Sequence, residues 1–350
     1  MNSGNLLSRK VARTATALLA SAAAAIGLSA CSTSEDSSKT AETKDAISIV
    51  ASTPIWADVA DLVVDDDSIK IESIIEGNNI DPHGFEPSAA QMAKAEKANI
   101  IVAGGGGYDS WLYSAVDENK VIHALPLTEH DHEGHDHEGH DHGTEAAAGH
   151  EGHNHGTETA TATAAAGHEG HNHGGAEGAA DNEHIWYDTT SLTEVANEIA
   201  KKVTELKPGA KVNPQAVEKK VGELDKRLHA LHGADVAQTH PLGDHILAHT
   251  ELHDVTPEGY RKTTLSESEP AAADVNAFLE AIEAGKIQVL LDSPQTETEY
   301  SKKIRSAAEA KHIPVVNIYE TPEKGTNFFD LYDQTITKLE EATKAVPHTH

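Results

Sequence analysis

The sequence predicts an α/β protein of two (β/α) lobes with mainly parallel sheets, joined by one long linking helix. Three observations carry this. Short apolar runs alternate with amphipathic helical stretches in both halves of the chain. Between the halves, the stretch opened by Asn213-Pro214 places Val217, Val221, Leu224, Leu228 and Leu231 at spacings of three and four, the period of one helix face. Setting aside a leader and a long polar insertion leaves roughly 260 residues, room for one large or two medium domains.

The elements follow in order. Residues 46–51 (AISIVA) read as a strand broken by Ser52-Thr53-Pro54. Pro54 suits the first position of a helix with Thr53 before it, and Ile55 to Val64 repeats apolar residues at helical spacing. Residues 69–75 form a second strand and 88–98 a helix opened by Ser88; 99–103 form a third strand and 120–125 a fourth. The third strand runs into Gly104-Gly105-Gly106-Gly107, which lacks GxGxxG spacing and is followed by no basic residue. It reads as a tight strand-to-helix turn, not a phosphate loop. After the insertion come a helix over 190–206 and the linking helix, ending at Gly233. Twenty helical residues span about 30 Å, enough to bridge two domains. The second half has a strand at 235–238, helices near 243–251, 270–284 and 300–311, strands at 287–291 and 313–318, and a terminal helix over 328–345. Two such lobes facing each other enclose a cleft, with ligands at the carboxyl ends of the strands.

A formal charge of −30 argues against nucleic acid, which needs basic patches, and favours cations around the protein. Arg9, Lys10 and Arg13 precede an apolar run from Ala15 to Leu28, the form of a secretory signal. The run ends Leu28-Ser29-Ala30-Cys31, where small residues before a cysteine look like a bacterial lipobox. Cys31 is then the lipidation site; as the only cysteine it forms no intramolecular disulfide. The expected layout is a lipoprotein signal over 1–31, a flexible tether over 32–45 and an N-terminal lobe over 46–210. The linking helix follows over 211–233 and the C-terminal lobe over 234–350. The chain is expected to be exported and anchored by lipid to the outer face of the cytoplasmic membrane, as a monomer.

Residues 129–180 interrupt the first lobe. Within them lie His130, His132, His135, His137, His140, His142, His150, His153, His155, His168, His171 and His173, interleaved with Asp, Glu, Gly, Ala and Thr. From His130 to His173 there is no Val, Ile, Leu, Met or aromatic residue to bury, so the segment is expected to be a disordered loop. Imidazoles flanked by carboxylates make it an accessory, multivalent trap for a borderline transition metal.

Three isolated histidines lie in loops near strand ends: His83 in Asp81-Pro82-His83-Gly84-Phe85-Glu86-Pro87, His184 in Asn182-Glu183-His184-Ile185-Trp186-Tyr187-Asp188, and His240 in Thr239-His240-Pro241. The first motif, the run from Ala98 through Gly104 to Leu112, the lipobox and the His-rich insertion before His184 together resemble the zinc/manganese solute-binding lipoproteins of bacterial ABC importers. The resemblance covers essentially residues 46–345, including Gly259-Tyr260, Ser293-Pro294-Gln295-Thr296-Glu297 and Glu320-Thr321-Pro322. It implies a metal held in the cleft between the lobes by one ligand from each of four loops: His83, His184, His240 and Glu320, with Asp292 the competing fourth ligand. Thr239-His240-Pro241 departs from the His-Asp-Ala-Phe form common among zinc-binding relatives. His245 and His249 are nearby substitutes, expected to face solvent or the lobe surface. Glu86 is a candidate outer acceptor for His83, and Trp56, Trp111 and Trp186 are expected to pack beside the cleft.

Three imidazoles and one carboxylate suit Zn²⁺ in four-coordination, whereas Mn²⁺ is better matched by more oxygen ligands; Ni²⁺ could bind the same set. The expected function is a high-affinity zinc receptor that passes Zn²⁺ to ABC permease subunits and catalyses nothing. The alternatives are a manganese or nickel receptor of the same kind, or a surface zinc buffer or adhesin. A zinc hydrolase would need an open ligand position, and no HExxH pair is present.

Overall fold

The computed structural model of the chain describes residues 47–128 and 182–346, in which eight strands form two four-stranded sheets. All pairings between these strands are parallel. The first sheet contains β1 (Ser48–Ala51), β2 (Lys70–Ser73), β3 (Ile100–Ala103) and β4 (Val121–His123), in the order β2-β1-β3-β4. Its chain also forms α1 (Pro54–Val63), α2 (Ala89–Lys97) and the single turn α3 (Ser110–Tyr113). Two helices, α4 (Thr189–Leu206) and the linking helix α5 (Pro214–Leu228), lead to the second sheet. That sheet has the order β6-β5-β7-β8, from β5 (His232–Gln238), β6 (Glu251–Asp254), β7 (Val289–Asp292) and β8 (Val315–Asn317). Around it lie α6 (Asp244–Ala248), α7 (Glu258–Leu265), α8 (Ala272–Glu283), α9 (Glu299–Ala310) and α10 (Phe328–Lys344).

Local chemistry explains most helix starts. Pro54 and Pro214 open α1 and α5 where a missing N–H costs nothing. Ser88 with Gln91, and Thr298 with Ser301, form reciprocal caps on α2 and α9. The Asp188 carboxylate caps α4 by accepting from Ser191 N–H. Two elements escape sequence pattern. β6 is an edge strand in which only Leu252 is buried, and α7 buries only Tyr260. The linking helix also ends earlier than the periodicity predicts. The His229 N–H bonds to Asp225 O at 2.9 Å and closes the last turn, while Gly233, at φ 75°, already lies in β5.

One apolar core runs beneath both sheets. Alternate residues of the central strands enter it (Ile49 and Ala51 from β1, Val236 from β5, Val289 and Leu291 from β7), packed against α1, α4, α5 and α10. The opposite strand faces fill two smaller cores. Val50, Ile101 and Ala103 meet Ala95, Leu112 and Tyr113 in one, and Ala237 and Leu290 meet Phe278, Ile282 and Ile304 in the other. Burial on both faces is why the central strands read as continuous apolar runs. Polar contacts reinforce the shared core. Arg227 on α5 donates to Glu340, Asp333 and Thr337 on α10 at 2.7–2.8 Å, and Asp58 on α1 accepts from Phe328 N–H at 2.6 Å.

The glycine run after β3 is the sharp turn that brings the chain past β4. Gly105 has φ 87°, and a Cβ there would sit 2.1 Å from the Leu125 carbonyl oxygen. Gly222 in α5 has open space around it. Gly105→Ala is therefore expected to cost at least about 2 kcal/mol. Gly222→Ala should instead stabilise by about 0.5–1 kcal/mol, since alanine loses less backbone entropy in a helix. Urea unfolding of the two variants checks both signs.

Candidate metal centre

Four side chains converge in the cleft, two from each sheet and each from a loop at a strand's carboxyl end. His83 stands in the turn Pro82–Gly84 beyond β2, where the Asp81 carboxylate accepts from His83 N–H at 3.0 Å. His184 follows β4 and the insertion and opens the turn Ile185–Tyr187. His240 comes two residues after β5, and Glu320 three after β8. His184 and Glu320 are buried, and His240 and His83 only slightly exposed.

The donor atoms are close. His184 Nε2 lies 3.2 Å from His83 Nε2 and 3.1 Å from His240 Nε2. Glu320 Oε1 lies 3.4, 3.5 and 3.6 Å from the Nε2 atoms of His83, His184 and His240. This buried oxygen has no conventional hydrogen-bond partner. A regular tetrahedron with edges of about 3.4 Å has its centre about 2.1 Å from every vertex, the distance zinc keeps from imidazole nitrogen and carboxylate oxygen. The set therefore has the size and chemistry to hold a four-coordinate divalent ion.

Outer contacts fix two of the donors, His184 and Glu320. Asn182 Oδ1 accepts from His184 Nδ1 at 2.6 Å and from His184 N–H at 3.0 Å. Its amide donates in turn to Pro241 O at 2.6 Å and Asp244 Oδ2 at 2.8 Å, so the network sets the amide orientation. A proton on Nδ1 leaves the Nε2 lone pair of His184 pointing into the site. Asp244 is itself held by Arg261 and Gln238 at 2.7–2.8 Å. Tyr108 OH donates to the other Glu320 oxygen, Oε2, at 3.1 Å. Tyr187 OH donates to Tyr319 O at 2.8 Å, joining the His184 segment to the residue before Glu320. Thr321 Oγ1 donates to Gly77 O at 3.0 Å, and Gln295 brackets Thr321 from the other side, so the loop before His83 is tied to the Glu320 loop.

Burial and charge set the protonation of the cluster. Burial disfavours a charged His83, but the Glu320 carboxylate beside it outweighs burial and raises the ring to about 9. Glu320 is held well below the ordinary carboxylate range: burial opposes its charge, and His184 and His83 overcome burial. Burial lowers His240 to about 3, with the neighbouring histidines adding to the effect. His83 and Glu320 thus favour a charged pair, while His240 keeps a free lone pair.

Asp292, the competing carboxylate, is not in this cluster. It is buried at the end of β7, accepting from Thr239 Oγ1 at 2.9 Å and pairing with Arg305. Neither His245 nor His249 belongs to the cluster. His245 is buried, its Nε2 3.0 Å from Asn182 O; His249 stands between Asp188 and Asp225. Glu86 is exposed. The carboxylate nearest His83 Nδ1, after Glu320 is set aside, is Glu267 at 3.9 Å, which also lies 3.7 Å from His240 Nε2. Sequence reasoning missed Glu267 because it follows α7, itself unrecognised. Its φ of 51° is left-handed, a conformation a glutamate adopts only when its surroundings impose it. With Asp81, Glu269 and Glu299 it lines an acidic cleft of about 560 Å³ that opens beside His240. Trp56 and Trp186 are fully buried, and Trp186 packs against Tyr108 and His184 with ring centroids 4.7 and 5.3 Å away. Cys31 and the twelve histidines from His130 to His173 lie outside the described residues. Among the described residues no helix is long and apolar enough to cross a membrane.

Residues 49–342 match a family model described as ZnuA, the periplasmic component A of a zinc-uptake complex. Solved structures share the fold. One is a zinc-bound ZnuA lacking its residues 138–173, 18% identical over 87% of this chain and 100% of that chain, with a TM-score of 0.55. Another is the laminin-binding protein Lmb of Streptococcus agalactiae, described as a bifunctional adhesin with metal-transporting activity. It is 15% identical over 85% of this chain and 98% of that one, with a TM-score of 0.55. A third is the solute-binding protein FpvC of Pseudomonas aeruginosa in complex with Mn²⁺, 15% identical over 86% and 98%, with a TM-score of 0.52. No curated protein sequence matches the chain.

Asn182→Ala removes the acceptor that sets the His184 tautomer while leaving all four donors present. Loss of such an outer partner typically weakens metal affinity about 10–100-fold. Competition against a chromophoric chelator measures it, and unchanged affinity would remove Asn182 from the account.

Proposed function

The chain belongs to the ZnuA family of periplasmic zinc-uptake components, and on that premise we propose that it is an extracytoplasmic receptor that captures Zn²⁺ and delivers it to an ABC permease. The ligands in this reading are His83, His184, His240 and Glu320, and the observation that carries it is their compact set of three nitrogens and one oxygen, all within 4.8 Å of one another. The ion is cargo, and no catalysis is involved: four protein donors leave no position for an activated water. The lipid on Cys31 tethers the receptor to the membrane, and the segment over 129–180 collects ions as an accessory.

The choice of zinc over manganese rests on the coordination that the loops permit. Mn²⁺ favours octahedral oxygen-rich sites, and a bidentate carboxylate is the simplest way to add an oxygen here. Tyr108 works against that by occupying Glu320 Oε2. Glu320 then offers one oxygen, and the set remains four-coordinate. The negative mouth formed by Asp81, Glu267, Glu269 and Glu299 favours arrival of a cation over that of an anion.

Two experiments test this. In a chain lacking residues 130–173, His83→Ala with His184→Ala should abolish stoichiometric tight zinc binding in calorimetry; retained affinity would place the site elsewhere. Tyr108→Phe frees Oε2 and should narrow the preference for zinc over manganese by about tenfold, the scale on which outer partners act. Paired competition titrations with the two ions read this directly, and an unaltered ratio would remove Tyr108 as a selector.

A further inference from the structure

A second group of metal-type donors lies where the linking helix, the start of α4 and the end of α6 meet. A ring nitrogen of His229, a ring nitrogen of His249 and a carboxylate oxygen of Asp225 lie within 4.8 Å of one another. Asp225 is in the last turn of α5 and His229 is that helix's cap, a spacing of four that puts both on one face. His249 caps α6, beyond His240 in the second half of the chain. Its Nδ1 lies 2.8 Å from Asp225 Oδ1, and its Nε2 lies 3.2 Å from Asp188 Oδ2. His229 Nδ1 donates to the Asp225 backbone carbonyl at 2.9 Å and lies 3.4 Å from the other Asp225 carboxylate oxygen.

We propose that Asp225, His229 and His249 form a second, weaker binding site for a zinc-type divalent ion, with Asp188 as the outer carboxylate that orients His249. Asp188 is what separates this cluster from an ordinary surface ion pair. Metal-bound histidine characteristically gives its second N–H to a carboxylate, which fixes the ring and raises its basicity. Here Asp188 accepts from Nε2 and leaves Nδ1 facing Asp225 and His229. The proton now between Nδ1 and Asp225 is what the ion replaces, and 2.8 Å needs to open only to about 3.3 Å for a tetrahedral ion. His249 holds that proton readily, because the Asp188 hydrogen bond outweighs burial and raises the ring's pKa. The carboxyl end of α5 adds the negative end of a helix dipole to the same spot.

Three protein donors leave room for water, and the His229 side chain is 58% exposed, so exchange here is fast and affinity lower than in a buried site. An ion would tie the end of α6 to the linking helix beside Asp188, which lies four residues after His184. The proposal uses none of the four cleft donors and stands or falls apart from them.

The test is zinc-dependent protection of histidines from diethylpyrocarbonate in the full-length chain, read peptide by peptide by mass spectrometry. Labelling of His229 and His249 should fall at least about fivefold as zinc is raised, at concentrations above those protecting His83 and His184, because fewer and wetter ligands bind more weakly. Mg²⁺ at the same concentrations should protect neither. Asp225→Asn should abolish protection of His229 while His83 and His184 stay protected, which also reports that the fold is intact. His229→Ala, a change at an exposed ring, should weaken zinc protection of His249 about tenfold. Constant His229 labelling up to millimolar zinc, equal protection by Mg²⁺, or protection that survives Asp225→Asn would each leave an ion-pair cluster only and overturn the proposal.

Discussion

The cleft is organised around the burial of one charge. Glu320 is fully inaccessible, and one of its oxygens lacks a conventional hydrogen bond. An isolated carboxylate in that position costs several kcal/mol, so its surroundings must supply a positive charge or a proton. The imidazoles do so by keeping a proton on His83. A divalent ion does so more completely, since it faces all four donors at once. In the proposed reading the same carboxylate that would be a liability in a closed apolar core draws a cation to the site, and the cation takes the place of the proton on His83.

Holding four donors on a tetrahedron only a few ångströms across requires loops from both sheets to keep register with each other. The shared core beneath β1, β5 and β7 sets the coarse spacing. Finer control comes from bonds that cross the cleft: Tyr187 to Tyr319, Thr321 to Gly77, Asn182 to Pro241 and Asp244. Each links a residue within a few positions of one donor to the neighbourhood of another. A common core makes wide hinge closure costly, because opening the lobes would expose apolar surface at about 25 cal/mol per Å². Metal exchange in such a frame is the work of the loops, and the half-exposed Glu267 at the mouth is the charged group best placed to meet an ion there.

Much of this was legible in the sequence, and the failures have physical causes. The buried parallel strands announce themselves because both faces are apolar, and the helices because Ser88, Pro54 and Pro214 mark their starts. His83, His184 and His240 stand out as single histidines in loops after strands, a placement that the family resemblance then explains. Glu320 is preferred to Asp292 on sequence only through the family resemblance, since both are carboxylates at strand ends. What separates them is Arg305, which pairs with Asp292, whereas Glu320 has only the three imidazoles as basic neighbours. β6 and α7 were invisible because each buries a single large side chain, too little for a period of two or 3.6 to register. Missing α7 also hid Glu267. His245 and His249 were misjudged because helical spacing places residues relative to their own helix and says nothing of what packs against it, here the segment from Asn182 to Asp188.

Burial also ranks the two donor clusters. In the cleft, Glu320 and His184 are at 0% and 3% side-chain exposure, so a bound ion's charge acts through a medium far less polarisable than water. Around Asp225 the carboxylate is 32% exposed and His229 more so, and solvent screens the same charges. In the proposed reading the buried set of four donors therefore holds its ion tightly, and the more exposed set of three exchanges its ion readily. The ordering follows from where the donors sit in the fold. The tight set lies at strand ends sealed by both sheets, and the loose one at the frayed end of the helix that joins them. A receptor that must first capture and later surrender an ion can use both conditions, and this chain supplies donors for each.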